Sequence, residues 1–152
     1  MNHFTITRSL DAPPDRVWEI IGNPGASPGR GVDVRVEKPG SADGRGLIRA
    51  VKVGPATVHE EITEIGPGHV IRYRLLKGAP VRDYTSGAEL EESQGGGTVV
   101  SWDAQFRPIV PGTGWAVSLV SKYTLNRVLD AIAESSRPDD WRPSAPTARR
   151  AR

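Results

Sequence analysis

The sequence contains no cysteine, which excludes disulfides, thiolate zinc sites and cysteine nucleophiles together. Its histidines, His3, His59 and His69, have no spacing that reads as a metal site, so neither a metal nor another cofactor is expected. No apolar run approaches the ~18 residues of a membrane span. The N-terminus enters strand-like alternation at Phe4 and lacks the basic, then apolar, pattern of a leader. A cytoplasmic chain without membrane insertion is expected. A basic stripe for phosphates is missing as well. The pI of about 9.2 comes from the end of the chain, where Arg137, Arg142, Arg149, Arg150 and Arg152 stand against Asp139 and Asp140. Residues 1–136 are formally close to neutral, so nucleic acid is not an expected partner.

A chain of 152 residues suits one domain. Phe4–Leu10 alternates as a strand. Asp11 can cap a helix entered through Pro13 and Pro14, with Val17, Trp18, Ile20 and Ile21 on its apolar face. Gly22–Gly31, rich in glycine and proline, reads as a loop. Six strand-length runs follow: Val32–Glu37, Gly46–Val53, Thr57–Ile65, Val70–Lys77, Arg82–Glu91 and Thr98–Phe106. They are separated by short turn signals such as Gly54-Pro55 and Gly66-Pro67-Gly68, which makes them antiparallel neighbours. Gly95-Gly96-Gly97 lacks a following Lys-Ser or Lys-Thr and reads as a hairpin turn, not a phosphate loop. Trp115, Leu119, Val120, Tyr123, Leu125, Val128, Leu129 and Ile132 then recur at helical spacing, predicting a helix over 113–134. The tail 137–152 has no apolar periodicity and reads as a disordered Pro/Arg-rich segment. A seven-stranded antiparallel sheet with one long helix buries both apolar faces by curling around that helix, which leaves a cavity.

Five strings carry a family resemblance: Ala12-Pro13-Pro14-Asp15-Arg16-Val17-Trp18, Gly46-Leu47-Ile48-Arg49, Val58-His59-Glu60-Glu61-Ile62, Val81-Arg82-Asp83-Tyr84, and Thr98-Val99-Val100-Ser101-Trp102 with Phe106 beyond. In this order they resemble the START-like or Bet v 1-like (SRPBCC) superfamily, within it the polyketide cyclase/dehydrase group. The resemblance implies an α+β helix-grip fold, a curved seven-stranded sheet around a long C-terminal helix, over residues 1–136. The sequence departs from the group at Gly25-Ala26-Ser27-Pro28-Gly29-Arg30, where members commonly carry a tryptophan followed by proline.

Strand alternation assigns faces, and the resemblance implies which face is inward. Val58, Glu60 and Ile62 share a face. So do Ile71, Tyr73 and Leu75; Tyr84, Ser86 and Ala88, with Arg82 at the entrance; Val100, Trp102, Ala104 and Phe106; and Arg49, Val51 and Val53. In plant abscisic-acid receptors, which this chain resembles distantly, positions matching Glu60, Tyr73, Tyr84 and Ser86 line the ligand cavity. The loops at Gly54-Pro55-Ala56 and Ala79-Pro80-Val81 match the gating loops there. From the long helix, Leu119 and Tyr123 are expected to close the cavity together with Leu129.

A carboxylate on an apolar face is costly to bury charged unless a cation answers it, and Arg49 is the candidate to answer Glu60. With Tyr84 they form a candidate catalytic set able to polarise a carbonyl and move a proton, as aldol cyclisation and dehydration require. A purely structural Arg49–Glu60 ion pair is an equally good reading of the same residues. The leading functional expectation is a pocket for an apolar or aromatic, polyketide-like molecule that is bound or cyclised and dehydrated. The alternative is an interaction module without small-molecule chemistry. An interior holding Glu60, Arg49 and Tyr84 around empty space favours the first; a filled interior favours the second.

Overall fold

A computed structural model describes residues 1–137; the segment from 138 onward, expected from sequence to be disordered, lies outside the described residues. The elements are β1 (Asn2–Leu10), α1 (Pro14–Ile21), β2 (Val32–Lys38), β3 (Ile48–Val53), β4 (Ala56–Gly66), β5 (Val70–Lys77), β6 (Val81–Glu92), β7 (Thr98–Pro108) and α2 (Gly114–Ser136). They match the sequence reading apart from their end residues, which fray most easily. The strands form one seven-stranded sheet in the order β1-β7-β6-β5-β4-β3-β2, antiparallel throughout.

The register shifts at Val36/Lys38, His59/Glu60, Ile62/Glu64 and Arg82/Thr85. Such bulges add local twist and bend a strand, and here they bring both edges of the sheet round to α2. At one edge Arg8 of β1 donates to Asp130 Oδ1 at 2.5 Å and to Asn126 Oδ1 at 2.9 Å. At the other, Val32 of β2 packs with Val53 and Ala131. At 1.5 Å per residue α2 is roughly 34 Å long, so it spans the sheet it is wrapped by. This is the helix-grip architecture. Leu125, Leu129 and Ile132 of α2 share one core with Phe4, Val100, Trp102, Ala104 and Phe106.

Two sequence expectations fail. Asp11 does not cap α1: Pro13 takes the N-cap in an extended conformation with no side-chain cap, and the Asp11 carboxylate lies 3.4 Å from Arg137. A proline at the first helical position lacks the N–H that a cap would otherwise satisfy, so little is lost. Leu119 and Tyr123 do not close the cavity either, being 62% and 63% exposed. At about 100° per residue, Tyr123 lies about 100° and Leu119 about 140° round the helix from Thr124, and Thr124 is the residue that faces inward.

Candidate functional site

Among the described residues the interior is unevenly packed. Between β6, β7 and α2 it is filled: Phe106 is fully buried and stacks on Tyr84 with ring centroids 5.7 Å apart. Towards β2, β3 and β4 a cavity encloses about 90 Å³, or about 760 Å³ of free space with its open mouth included. Its sheet wall is Val32 and Val34 of β2, Arg49, Val51 and Val53 of β3, and Val58 and Glu60 of β4, with Ile71, Tyr73 and Trp102 behind. Thr124, Leu125, Val128 and Ile132 of α2 form the opposite wall, and Ile20, Ile21 and the 22–31 loop cover one side.

Arg49 and Glu60 are direct cross-strand partners in the β3–β4 register, so their side chains leave the sheet on the same face, side by side. Arg49 Nε donates to Glu60 Oε1 at 3.0 Å, and Nη2 stands 3.0 Å from the same oxygen. The remaining guanidinium nitrogen, Nη1, donates to the Pro24 carbonyl at 3.0 Å, which ties the 22–31 loop to the cavity wall. The guanidinium also lies over the Tyr73 ring, 5.6 Å from its centroid. Both contacts to Glu60 fall on Oε1; among the described residues no protein group donates to Oε2.

Of the other polar side chains in the wall, Thr124 Oγ1 donates to the Val120 carbonyl of its own helix, and Trp102 and Tyr73 bond one another and Ser86 behind them. Trp102 Nε1 donates to Tyr73 Oη and to Ser86 Oγ, each at 3.1 Å, and Ser86 Oγ donates to the Asp103 carbonyl at 2.6 Å. Burial, reinforced by the Glu60 charge, pushes the Tyr73 phenol far above its ordinary range. The same causes push Tyr84 up to about 12. Both phenols are therefore neutral donors at physiological pH.

Of the residues expected at the site, Arg49, Val51, Val53, Val58, Glu60, Tyr73 and Trp102 line the cavity together. Ser86 and Phe106 are buried in the filled half, Tyr84 stacks there, and Ile62 of β4 is buried in the core; none of these four lines the cavity. Leu75 is half-buried outside it. Arg82 is exposed and faces Arg107 across β6–β7. The bulge after it, with Asp83 at φ 53, breaks the alternation that had placed Arg82 on the face of Tyr84. Sequence reasoning missed the inward valines of β2, although Val32 and Val34 alternate, and the Thr124–Val128 row of α2.

The family model described as polyketide cyclase / dehydrase and lipid transport matches residues 1–137. The chain belongs to this family. Among solved structures it is similar to an uncharacterised protein from Bacillus thuringiensis, with a TM-score of 0.72 and 19% identity over 90% of this chain and 100% of that one. It is also similar to the protein XoxI from Bacillus cereus, with a TM-score of 0.70 and 19% identity over 90% and 96% of the two chains. Ara h 8.0201 gives a TM-score of 0.71 and 15% identity over 88% and 95%. At these identities the likeness establishes the Bet v 1-type fold alone. A search of curated proteins found no match to the sequence.

Proposed function

We propose that the chain binds a small, neutral, largely apolar molecule carrying a hydroxyl, of phenolic or polyketide type, in the cavity between β2–β4 and α2. The observation that carries this reading is the Arg49–Glu60 pair, the charged feature of a largely apolar wall, whose Oε2 accepts nothing from the described residues. The pair is net neutral, so it favours a neutral guest, and a free carboxylate oxygen selects a donor. Size supports a modest ligand. An apolar cavity of ~150 Å³ takes one benzene, and the enclosed part here is about 90 Å³, so even a single-ring guest extends into the mouth.

Membership of the polyketide cyclase / dehydrase and lipid transport family supports a ligand-binding domain. With a ligand whose reacting C–H or O–H meets Oε2, the same carboxylate would serve as general base for cyclisation and dehydration. Tyr84 does not border the cavity and has no part in that step. The hollow half of the interior favours this reading over an interaction module. Among the described residues no helix is long and apolar enough to cross a membrane, and we place the protein's work in the cytoplasm.

Mass spectrometry of the natively purified protein identifies a co-purifying guest, and titration with an aromatic polyketide panel measures its capture. Glu60→Gln is expected to weaken capture about tenfold, the worth of a charge-assisted hydrogen bond. Unchanged affinity with turnover reduced by about 10² to 10⁴ assigns Glu60 to proton transfer. No change in either removes Glu60 from the site.

A further inference from the structure

Apart from Val36, the large apolar side chains left exposed among the described residues gather at one end of the molecule. The strand register defines that end: Asn2 faces Phe106, Val81 faces Pro108, and Val53 faces Ala56. The Ile109 amide donates to the Pro80 carbonyl at 3.1 Å, joining the β7–α2 and β5–β6 loops, and Gly114 packs against the Asn2 side chain. Ile109 and Val110 precede α2, and its first turns present Trp115, Leu119, Val120 and Tyr123 to solvent, Trp115 being 71% exposed. The cavity reaches the same end, since Val32, Val53 and Ala56 are the terminal residues of their strands and line it.

The charge around this face is predominantly basic. Lys77 ends β5, Arg82 and Arg107 face one another, and Lys122 lies over the Phe4 ring. Arg127 donates to the Tyr123 hydroxyl at 3.0 Å. Against them stand Asp83, 3.8 Å from Arg107, and Asp33, the cross-strand partner of Lys52. A two-fold dimer through this face would bring like cations together, which disfavours a second copy as its occupant. Exposed tryptophan and tyrosine among aliphatic residues, rimmed by lysine and arginine, suit the boundary between lipid headgroups and acyl chains.

We propose that this end docks on an anionic lipid surface, with Trp115, Leu119, Val120 and Tyr123 entering the headgroup layer and the surrounding lysines and arginines meeting lipid phosphates. The inference rests on reading the cavity as a site for an apolar molecule, which would then pass between bilayer and cavity without crossing water.

The test is co-sedimentation of the full chain with vesicles of phosphatidylcholine alone and of phosphatidylcholine mixed with phosphatidylglycerol, with no small molecule added. Binding is expected to the mixed vesicles and to weaken with salt. The double variant Trp115→Ser/Tyr123→Ser should weaken it about tenfold or more, and Lys122→Glu about fivefold or more. Leu119→Ser serves if the double variant fails to melt cooperatively. No binding by the wild type, equal binding to both vesicle types, or wild-type binding by the variants overturns the proposal. A concentration-dependent dimer that the double variant dissolves also overturns it, giving the face to a second copy. Glu60→Gln should bind vesicles as the wild type does. Vesicle binding without capture of any panel molecule sinks the cavity reading alone, and capture without vesicle binding sinks the docking surface alone.

Discussion

Replacing Arg49 by Met asks how much the Arg49–Glu60 pair stabilises the fold, and the structure sets the scale. The two side chains are only 14% and 10% exposed, so the 0–1 kcal/mol of a solvated surface pair does not apply. Losing one member of a buried pair strands the other charge, at about 3–5 kcal/mol. Arg49→Met also frees the Pro24 carbonyl from its donor, worth about 1 kcal/mol more if water does not replace it. The expected loss is therefore in the upper part of that range, a large share of the ~5–15 kcal/mol that holds a domain together. Removing both charges should behave differently: Arg49→Met with Glu60→Leu leaves no stranded charge, and such swaps are commonly neutral or stabilising. Urea unfolding followed by far-UV circular dichroism on wild type, both single variants and the double variant closes the cycle. A cost below about 1 kcal/mol for Arg49→Met would show a hydrated pair. A double variant as unstable as the sum of the singles would show no coupling, and either result refutes the pair as the buried polar feature of the cavity. If the double variant is as stable as the wild type yet captures no ligand, the pair serves binding and not folding.

Three further outcomes are expected. Leu129→Ala should cost about 2–5 kcal/mol in the same unfolding assay, since Leu129 is fully buried in the core; an effect under about 0.5 kcal/mol would turn α2 over. Val51→Phe should be tolerated within about 1 kcal/mol while blocking ligand capture, because it grows into empty space, whereas Ala104→Leu in the filled half should cost about 1–3 kcal/mol by overpacking; equal costs would mean the interior is not divided in this way. Stability should fall as pH rises from about 10 to about 12, because Tyr84 is held neutral in the fold up to about 12 while the unfolded phenol ionises near 10, so the unfolded state then binds fewer protons. Urea midpoints against pH should show a shallower slope in Tyr84→Phe, with a remainder from Tyr73, which is shifted the same way; an unchanged slope would place Tyr84 in contact with solvent.

What the sequence made legible is what depends on local alternation. Val58, Glu60 and Ile62 share a face because a strand repeats every two residues, and the family resemblance made that face the inward one. Short turns forced β3 and β4 into antiparallel register, which set Arg49 opposite Glu60. Alternation fails where a bulge resets it, and the reset at Asp83 is why Arg82 was assigned to the wrong face. The division of the interior into a filled and a hollow half was not legible at all. It depends on the summed volumes of Phe106 and Tyr84 on one side against valines and Ala56 on the other, a three-dimensional balance that no single strand records.

The apolar set of α2 shows a different limit. Trp115, Leu119 and Tyr123 recur at helical spacing as cleanly as Leu125, Leu129 and Ile132 do, so periodicity marks both as faces without saying what covers either. The sheet covers only the second: Leu119 and Tyr123 are turned away from the inward-facing Thr124, and Trp115 stands at the end where the strands stop. Natural surfaces rarely expose a large contiguous apolar patch without using it, so the residues whose burial was wrongly expected carry information of another kind. The misassigned half of α2 and the mouth of the cavity occupy the same end of the fold, and a guest entering between Val53, Ala56 and Thr124 would pass beside Val120. If Val120→Asp slows ligand uptake from vesicles while leaving equilibrium capture in free solution unchanged, the face acts on entry and not on holding. If both fall together, Val120 belongs to the cavity wall, and the boundary drawn between wall and docking face is wrong.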